Sequence, residues 1–117
     1  MIKSGIIAIL VAGFIAACNK NHDTDPGNNS IDCSGTAKTF STDVNPIIQN
    51  SCATSTGCHG NGSTNGPGAL TNFAQISNAS TAIKSAVISG VMPQGGSLST
   101  QEKNTIACWV NSGAPNN

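Results

Sequence analysis

The sequence predicts an all-α domain of about four short helices joined by long loops. Three observations carry this expectation. Apolar residues recur at i, i+3 and i+4 in successive stretches after residue 40. Each stretch is bounded by a capping residue or by a glycine that can end a helix. No run alternates apolar and polar residues as a half-buried strand does, and the segments between the stretches are rich in Gly and Pro.

Residues 1–17 read as an address and stand outside the domain. Lys3 supplies a positive start, and Ile6 to Ala17 is an apolar run too short for the roughly 20 residues that span a bilayer. The run ends Ile15-Ala16-Ala17-Cys18, which resembles a bacterial lipobox: a branched residue, two small ones, then the cysteine that is lipidated and becomes the new N-terminus. Residues 18–32 then form a flexible tether. From Asn19 to Ser30 they offer no apolar residue to bury, and His22 is a solvated tether residue. The folded domain is expected over 33–117.

Within it, Ser41 or Thr42 can cap a first helix that carries Val44, Ile47 and Ile48 on one face and leads into Cys52, with Pro46 tolerated in the first turn. Gly57 to Gly68 is loop. Thr71 caps a short helix with Phe73 and Ile76. Asn78 or Ser80 starts another, with Ile83, Ala86 and Val87 on one face and Gly90 as its stop. The last helix has the clearest start. Ser99-Thr100-Gln101-Glu102 is a capping-box pattern, Ile106, Trp109 and Val110 form its stripe, and Gly113 ends it before Pro115.

Composition narrows the function. The formal net charge is zero, charged residues are 9% of the chain, and there is no arginine. A chain so poor in cations does not track a phosphate backbone, so nucleic acid is not expected as a partner. The acidic residues of the domain, Asp32, Asp43 and Glu102, are spread out, and no carboxylate pair or nucleophile–base pair is visible. An enzyme is not expected. A domain of this size with so few aromatic residues needs a staple, and the five cysteines supply candidates.

The chemistry concentrates in Cys52-Ala53-Thr54-Ser55-Thr56-Gly57-Cys58-His59-Gly60. Two cysteines followed at once by histidine is the order that attaches c-type haem. Each thiol adds across a vinyl group, and the next residue aims a ring nitrogen at the iron. The usual gap between the cysteines is two residues; here it is five, filled by small residues able to loop out. Past the address, the single remaining methionine, Met92, precedes Pro93 in a glycine-flanked loop before the last helix.

Four segments in this order resemble class I monohaem cytochromes c, in particular the small cytochrome c-like domains of bacterial surface and periplasmic lipoproteins. They are Phe40 to Ile48; Cys58-His59-Gly60; Gly66-Pro67-Gly68-Ala69-Leu70; and Met92-Pro93 through Gly96, Leu98-Ser99, Glu102 and Trp109 to Pro115. The resemblance covers nearly all of the chain after residue 39. It implies a small cytochrome c-like fold wrapped around one covalent haem c per chain. Cys52 and Cys58 would be the thioether cysteines, and His59 and Met92 the iron ligands, a pair that favours a relatively high potential. Pro67 would offer its carbonyl to the proton-bearing nitrogen of His59. Leu70, Leu98 and Trp109 would line the pocket.

Cys33 and Cys108 remain. In an oxidising compartment two leftovers suggest a disulfide. On a helix Cys108 lies about 160° from both Ile106 and Val110, away from the apolar stripe. A 52–58 bridge beside 33–108, or two crossed bridges, stay open from sequence. The expected function is electron transfer with redox partner proteins, with membrane contact through the lipid anchor only. The expected place is the cell envelope: the outer membrane, with the domain in the periplasm or at the surface. The alternative is a haem-free, disulfide-stapled binding lipoprotein that keeps a degenerate cytochrome c-like fold. A zinc site using Cys52, Cys58, His59 and one more ligand ranks last.

Overall fold

The computed structural model describes residues 30–117. The expected address (1–17), lipidation at Cys18, His22 and all but the end of the tether lie outside the described residues. Those that are described fold as helices and loops without a strand, in the order α1 (Asn45–Ser51), α2 (Phe73–Asn78), α3 (Ser80–Ser89) and α4 (Thr100–Asn111); a π-helical turn, Phe40–Val44, precedes α1. None of these helices is long and apolar enough to cross a membrane.

The first helical segment starts earlier than its sequence suggests. Thr39, not Ser41 or Thr42, is the flanking residue, and Asp43 supplies the cap by reaching back to it. The Asp43 carboxylate accepts from the Thr39 N–H at 2.7 Å and from its hydroxyl at 3.0 Å. The N–H groups of Val44 and Asn45 reach five residues back, to the carbonyls of Thr39 and Phe40. Pro46, which has no N–H to give, marks the change to the ordinary helical ladder of α1. The orphan donors of Phe40 and Ser41 are met from far along the chain, by the side chain and backbone oxygens of Asn117 at 2.8 and 2.9 Å.

The cap of α2 is Asn72, one residue beyond the expected Thr71. Its side-chain oxygen accepts from the Gln75 N–H at 3.0 Å, while the Gln75 side chain accepts from both the N–H and the hydroxyl of Thr71. Helix α3 ends at Gly90 in the left-handed conformation, φ +78°. The capping box of α4 is fully formed: Ser99 Oγ accepts from the Glu102 N–H, and the Glu102 carboxylate accepts from the Ser99 N–H at 2.8 Å.

Helix α4 is the hub. It packs against α3 on one side and against the Phe40–Val44 turn on the other, and α2 leans on α3. The apolar stripe of α4 meets Phe40, Val44, Ile48, Ile76, Ile83 and Val87 in one buried cluster. Phe40 stacks edge-on against Phe73 at 4.9 Å and lies 5.7 Å from Trp109. Trp109 is fully buried, and its indole N–H donates to the Pro115 carbonyl at 2.9 Å, which folds the chain end back over the helix. On the outer side of α4, Cys108 is bonded to Cys33, with Cα atoms 5.4 Å apart. Cys52 and Cys58 are thiols, so neither a second bridge nor crossed bridges are present.

Candidate cofactor site

The residues between α1 and α2 form a loop that closes on itself. Cys52 caps α1 and is buried. The chain then swings out through Ala53–Gly57 and returns, so that the His59 N–H donates to the Cys52 carbonyl at 2.9 Å. Inside this ring the N–H groups of Cys58 and Gly60 both donate to the Ser55 carbonyl, at 3.0 and 2.7 Å. A Cβ on Gly60 would stand 2.7 Å from the carbonyl carbon and oxygen of Ser55, so the return path requires glycine there. The five residues between the cysteines are thus an excursion, and Cys58-His59 comes back beside Cys52.

His59 is buried and tied at three points. Besides its N–H, its carbonyl accepts from the Leu70 N–H at 2.8 Å, and its ring Nδ1 lies 3.0 Å from the Gly68 carbonyl. A carbonyl only accepts, so the neutral ring carries its proton on Nδ1 and keeps a lone pair on Nε2. The acceptor expected from sequence was the Pro67 carbonyl; the structure places the Gly68 carbonyl there instead. The reason is the tight turn from Asn65 to Gly68, closed by a 2.9 Å bond between the Gly68 N–H and the Asn65 carbonyl, with Gly66 and Gly68 both at positive φ. That turn directs the Gly68 carbonyl at the ring and leaves Pro67 in the cavity wall.

The site itself is an apolar cavity of about 160 Å³ bounded by Cys52, His59, Pro67 and Leu70 on one side, Ala82, Ile83, Ala86 and Val87 of α3 on the other, and Met92. It adjoins a second, larger cavity of about 400 Å³ that reaches Cys58, Thr54, Asn65 and Pro93 and shares Cys52, His59, Gly66 and Met92 with the first. Met92 is held by its N–H, which donates to the Ala86 carbonyl at 3.2 Å, past the Gly90 stop. Cys52, Cys58, His59, Pro67, Leu70 and Met92 therefore meet at one place. Leu98 and Trp109 do not: both are buried in the core and neither lines these two cavities, and Trp109 is taken up by Phe40 and the chain end.

The two thiols differ in setting. Burial pushes the Cys52 thiol up from its ordinary value, and the neighbouring Cys58 adds to this. Cys58 is exposed, and the hydroxyls of Thr54 and then Ser55 donate to its sulfur and lower its pKa. Among the described residues no group of three or more His, Cys, Asp and Glu side chains is placed to hold a metal ion, so the zinc arrangement lacks its ligand cluster there.

Sequence reasoning missed the wall formed by Ala82 and Ala86, whose signal was two small residues at i, i+4 beside the Ile83–Val87 stripe. It also missed Ser63 and Asn65, which carried no signal short of the fold. No family model, no curated protein and no solved structure matches this chain.

Proposed function

We propose that this chain is an electron-transfer protein: a lipid-anchored, monohaem c-type cytochrome with His59 and Met92 as iron ligands and Cys52 and Cys58 as thioether cysteines. The observation that supports it best is convergence. An imidazole with its free nitrogen available, a thioether and two thiols from separate stretches border two adjoining cavities, the smaller of which is almost wholly apolar. The larger cavity alone falls in the roughly 300–1,000 Å³ range of small-molecule and cofactor sites.

Haem, when bound, supplies a one-electron ferric/ferrous couple. The chain's own residues do the rest. Cys52 and Cys58 would hold the group, each by addition of its S–H across one vinyl double bond, the sulfur to one carbon and the hydrogen to the other, with no oxidant consumed. The Gly68 carbonyl holds the Nδ1 proton of His59, which orients the ring and raises the basicity of Nε2. Leu70, Ile83 and Val87 exclude water, and the Met92 sulfur favours the reduced state. With His59 and Met92 both holding the iron, substrate chemistry there would not be part of this reading. Anchoring at Cys18, a place in the cell envelope and redox partner proteins belong to the same proposal and rest on the lipobox resemblance.

The test is a pyridine haemochrome spectrum of the exported protein together with its intact mass in denaturant. One covalently held haem per chain is expected. In such a protein Met92→Ala should lower the reduction potential, and His59→Ala should lose stable haem incorporation. An exported, folded protein whose mass carries no haem adduct overturns the reading. It would favour the haem-free binding lipoprotein, whose support is the five-residue gap and a core that closes on side chains alone.

A further inference from the structure

Resting on the haem reading, we infer that Ser63 and Asn65 are positioning residues that compensate for the long gap between the cysteines by fixing Cys58 and His59 relative to Cys52. Ser63 is buried, with 7% of its surface exposed, and its hydroxyl donates to the Cys58 carbonyl. The same oxygen accepts from the Asn65 N–H at 3.3 Å. The Asn65 side-chain amide in turn donates to the Gly57 carbonyl at 2.8 Å. The two peptide planes that flank Cys58 are therefore each held by one side chain of a single short segment. That segment continues into the Asn65–Gly68 turn, whose last carbonyl holds the His59 ring.

The physical argument concerns freedom. A two-residue gap fixes the two sulfurs and the imidazole by chain geometry alone. A five-residue gap adds backbone torsions, and each residue left unfixed costs conformational entropy when it is ordered. The hydroxyl and the amide remove that freedom before any ligand arrives. The backbone bonds from Cys58 and Gly60 to Ser55 close the excursion, while among the described residues the carbonyls of Gly57 and Cys58 are met by these side chains. The segment thus sets where the Cys58 sulfur points and keeps the proton of His59 on Nδ1.

The test compares Ser63→Ala, Asn65→Asp and Ser63→Thr with the wild type on two readouts. The first counts thioether bonds among haem-loaded molecules, by alkylating free thiols in denaturant and measuring mass. Wild type and Ser63→Thr should show both thiols blocked. Ser63→Ala and Asn65→Asp should show Cys58 alkylated in a large share of loaded molecules while Cys52 stays blocked. A role in stability alone would lower the loaded yield without changing the count per loaded molecule. The second readout is the His59 tautomer in haem-free folded protein, from imidazole ¹⁵N shifts: one Nδ1–H form in the wild type and a mixture in Ser63→Ala. Loaded Ser63→Ala and Asn65→Asp proteins with both thiols blocked, or haem-free variants with an unchanged tautomer, overturn the assignment. A wild type without haem removes the haem reading, and the tautomer comparison then decides the positioning role by itself.

Discussion

The two halves of this domain are held together by different physics. Around α4, the contacts are apolar and interlocked: Trp109, Ile106, Val44 and Ile48 have no or almost no exposed surface, and Cys33–Cys108 fastens the outside. Around His59, the chain is ordered by backbone and side-chain hydrogen bonds and by one close glycine contact, and its apolar residues Cys52 and Leu70 join the core on one side and border a cavity on the other. The first region is complete in itself. The second is a hydrogen-bonded frame whose side chains border two cavities.

The sharpest way to break this contrast is to remove the packing residue of the first region. Trp109→Ala should cost about 3–5 kcal/mol, because it empties the centre of the cluster and strands the Pro115 carbonyl. Urea unfolding should show the whole domain losing stability, the His59 loop with it. If only the loop were affected, α4 would not be the hub. Next in size, Cys33→Ser with Cys108→Ser should cost about 2–5 kcal/mol, mainly by freeing the unfolded chain across a sequence separation of 75. Chemical denaturation of the double variant measures it, and the cavity should keep its form.

Gly60→Ala tests the second region alone. The added methyl would lie 2.7 Å from the Ser55 backbone, so the ring must open, at about 1–3 kcal/mol. Hydrogen exchange should show lost protection at the His59 and Leu70 amides, with the amides of α4 protected as before. Equal loss in both regions would mean that they are one cooperative unit.

The smallest effect is acid sensitivity, and it falls on the first region. The Thr39 backbone and side chain lower the Asp43 pKa, and Ser99 does the same for Glu102. A carboxylate with a depressed folded pKa gives stability that is present above its unfolded value and is lost as pH falls through the folded one. The loss therefore begins near the ordinary carboxylate range of about 4 and continues below it. No acidic residue occurs between Val44 and Gln101, so the His59 frame has no carboxylate of its own to titrate. Asp43→Asn with Glu102→Gln should flatten the dependence of stability on pH below about 4, as read by urea midpoints.

Much of the first region was legible in the sequence because its signals are local. Ser99 and Glu102 lie three apart, Gly90 follows its helix directly, and the stripes of α3 and α4 need only the helical period. Cys33–Cys108 was legible as one connectivity among several. The start of the first helix was misplaced because Asp43 caps Thr39 from inside the helix, the reverse of the usual reading direction. The second region was legible in its chemistry and not in its frame. Cys52, Cys58, His59, Pro67, Leu70 and Met92 carry recognisable side chains, and the fold brings them together. The acceptor for His59 was shifted by one residue because a carbonyl's direction follows from two positive φ angles, which no residue name reports. Trp109 was expected at the cavity from the family resemblance, but its ring packs against Phe40 and its N–H is taken by the Pro115 carbonyl.

The bond between Cys33 and Cys108 also has a mechanical meaning. Everything from Ser34 to Ala107, including Cys52, Cys58, His59 and Met92, lies inside the loop it closes. Once the bonds from Phe40 and Ser41 to Asn117 have parted, a pull applied at the two chain ends passes from Cys33 across the sulfurs into α4 and bypasses the covalent path of that loop. Stretched between its ends, the molecule should yield only the length before Cys33 and that of residues 109–117. Reduction should then release roughly 250 Å of further contour, at about 3.3–3.6 Å per residue. Tension on the N-terminal side is thus borne by one helix, and the residues around the cavity are shielded from it.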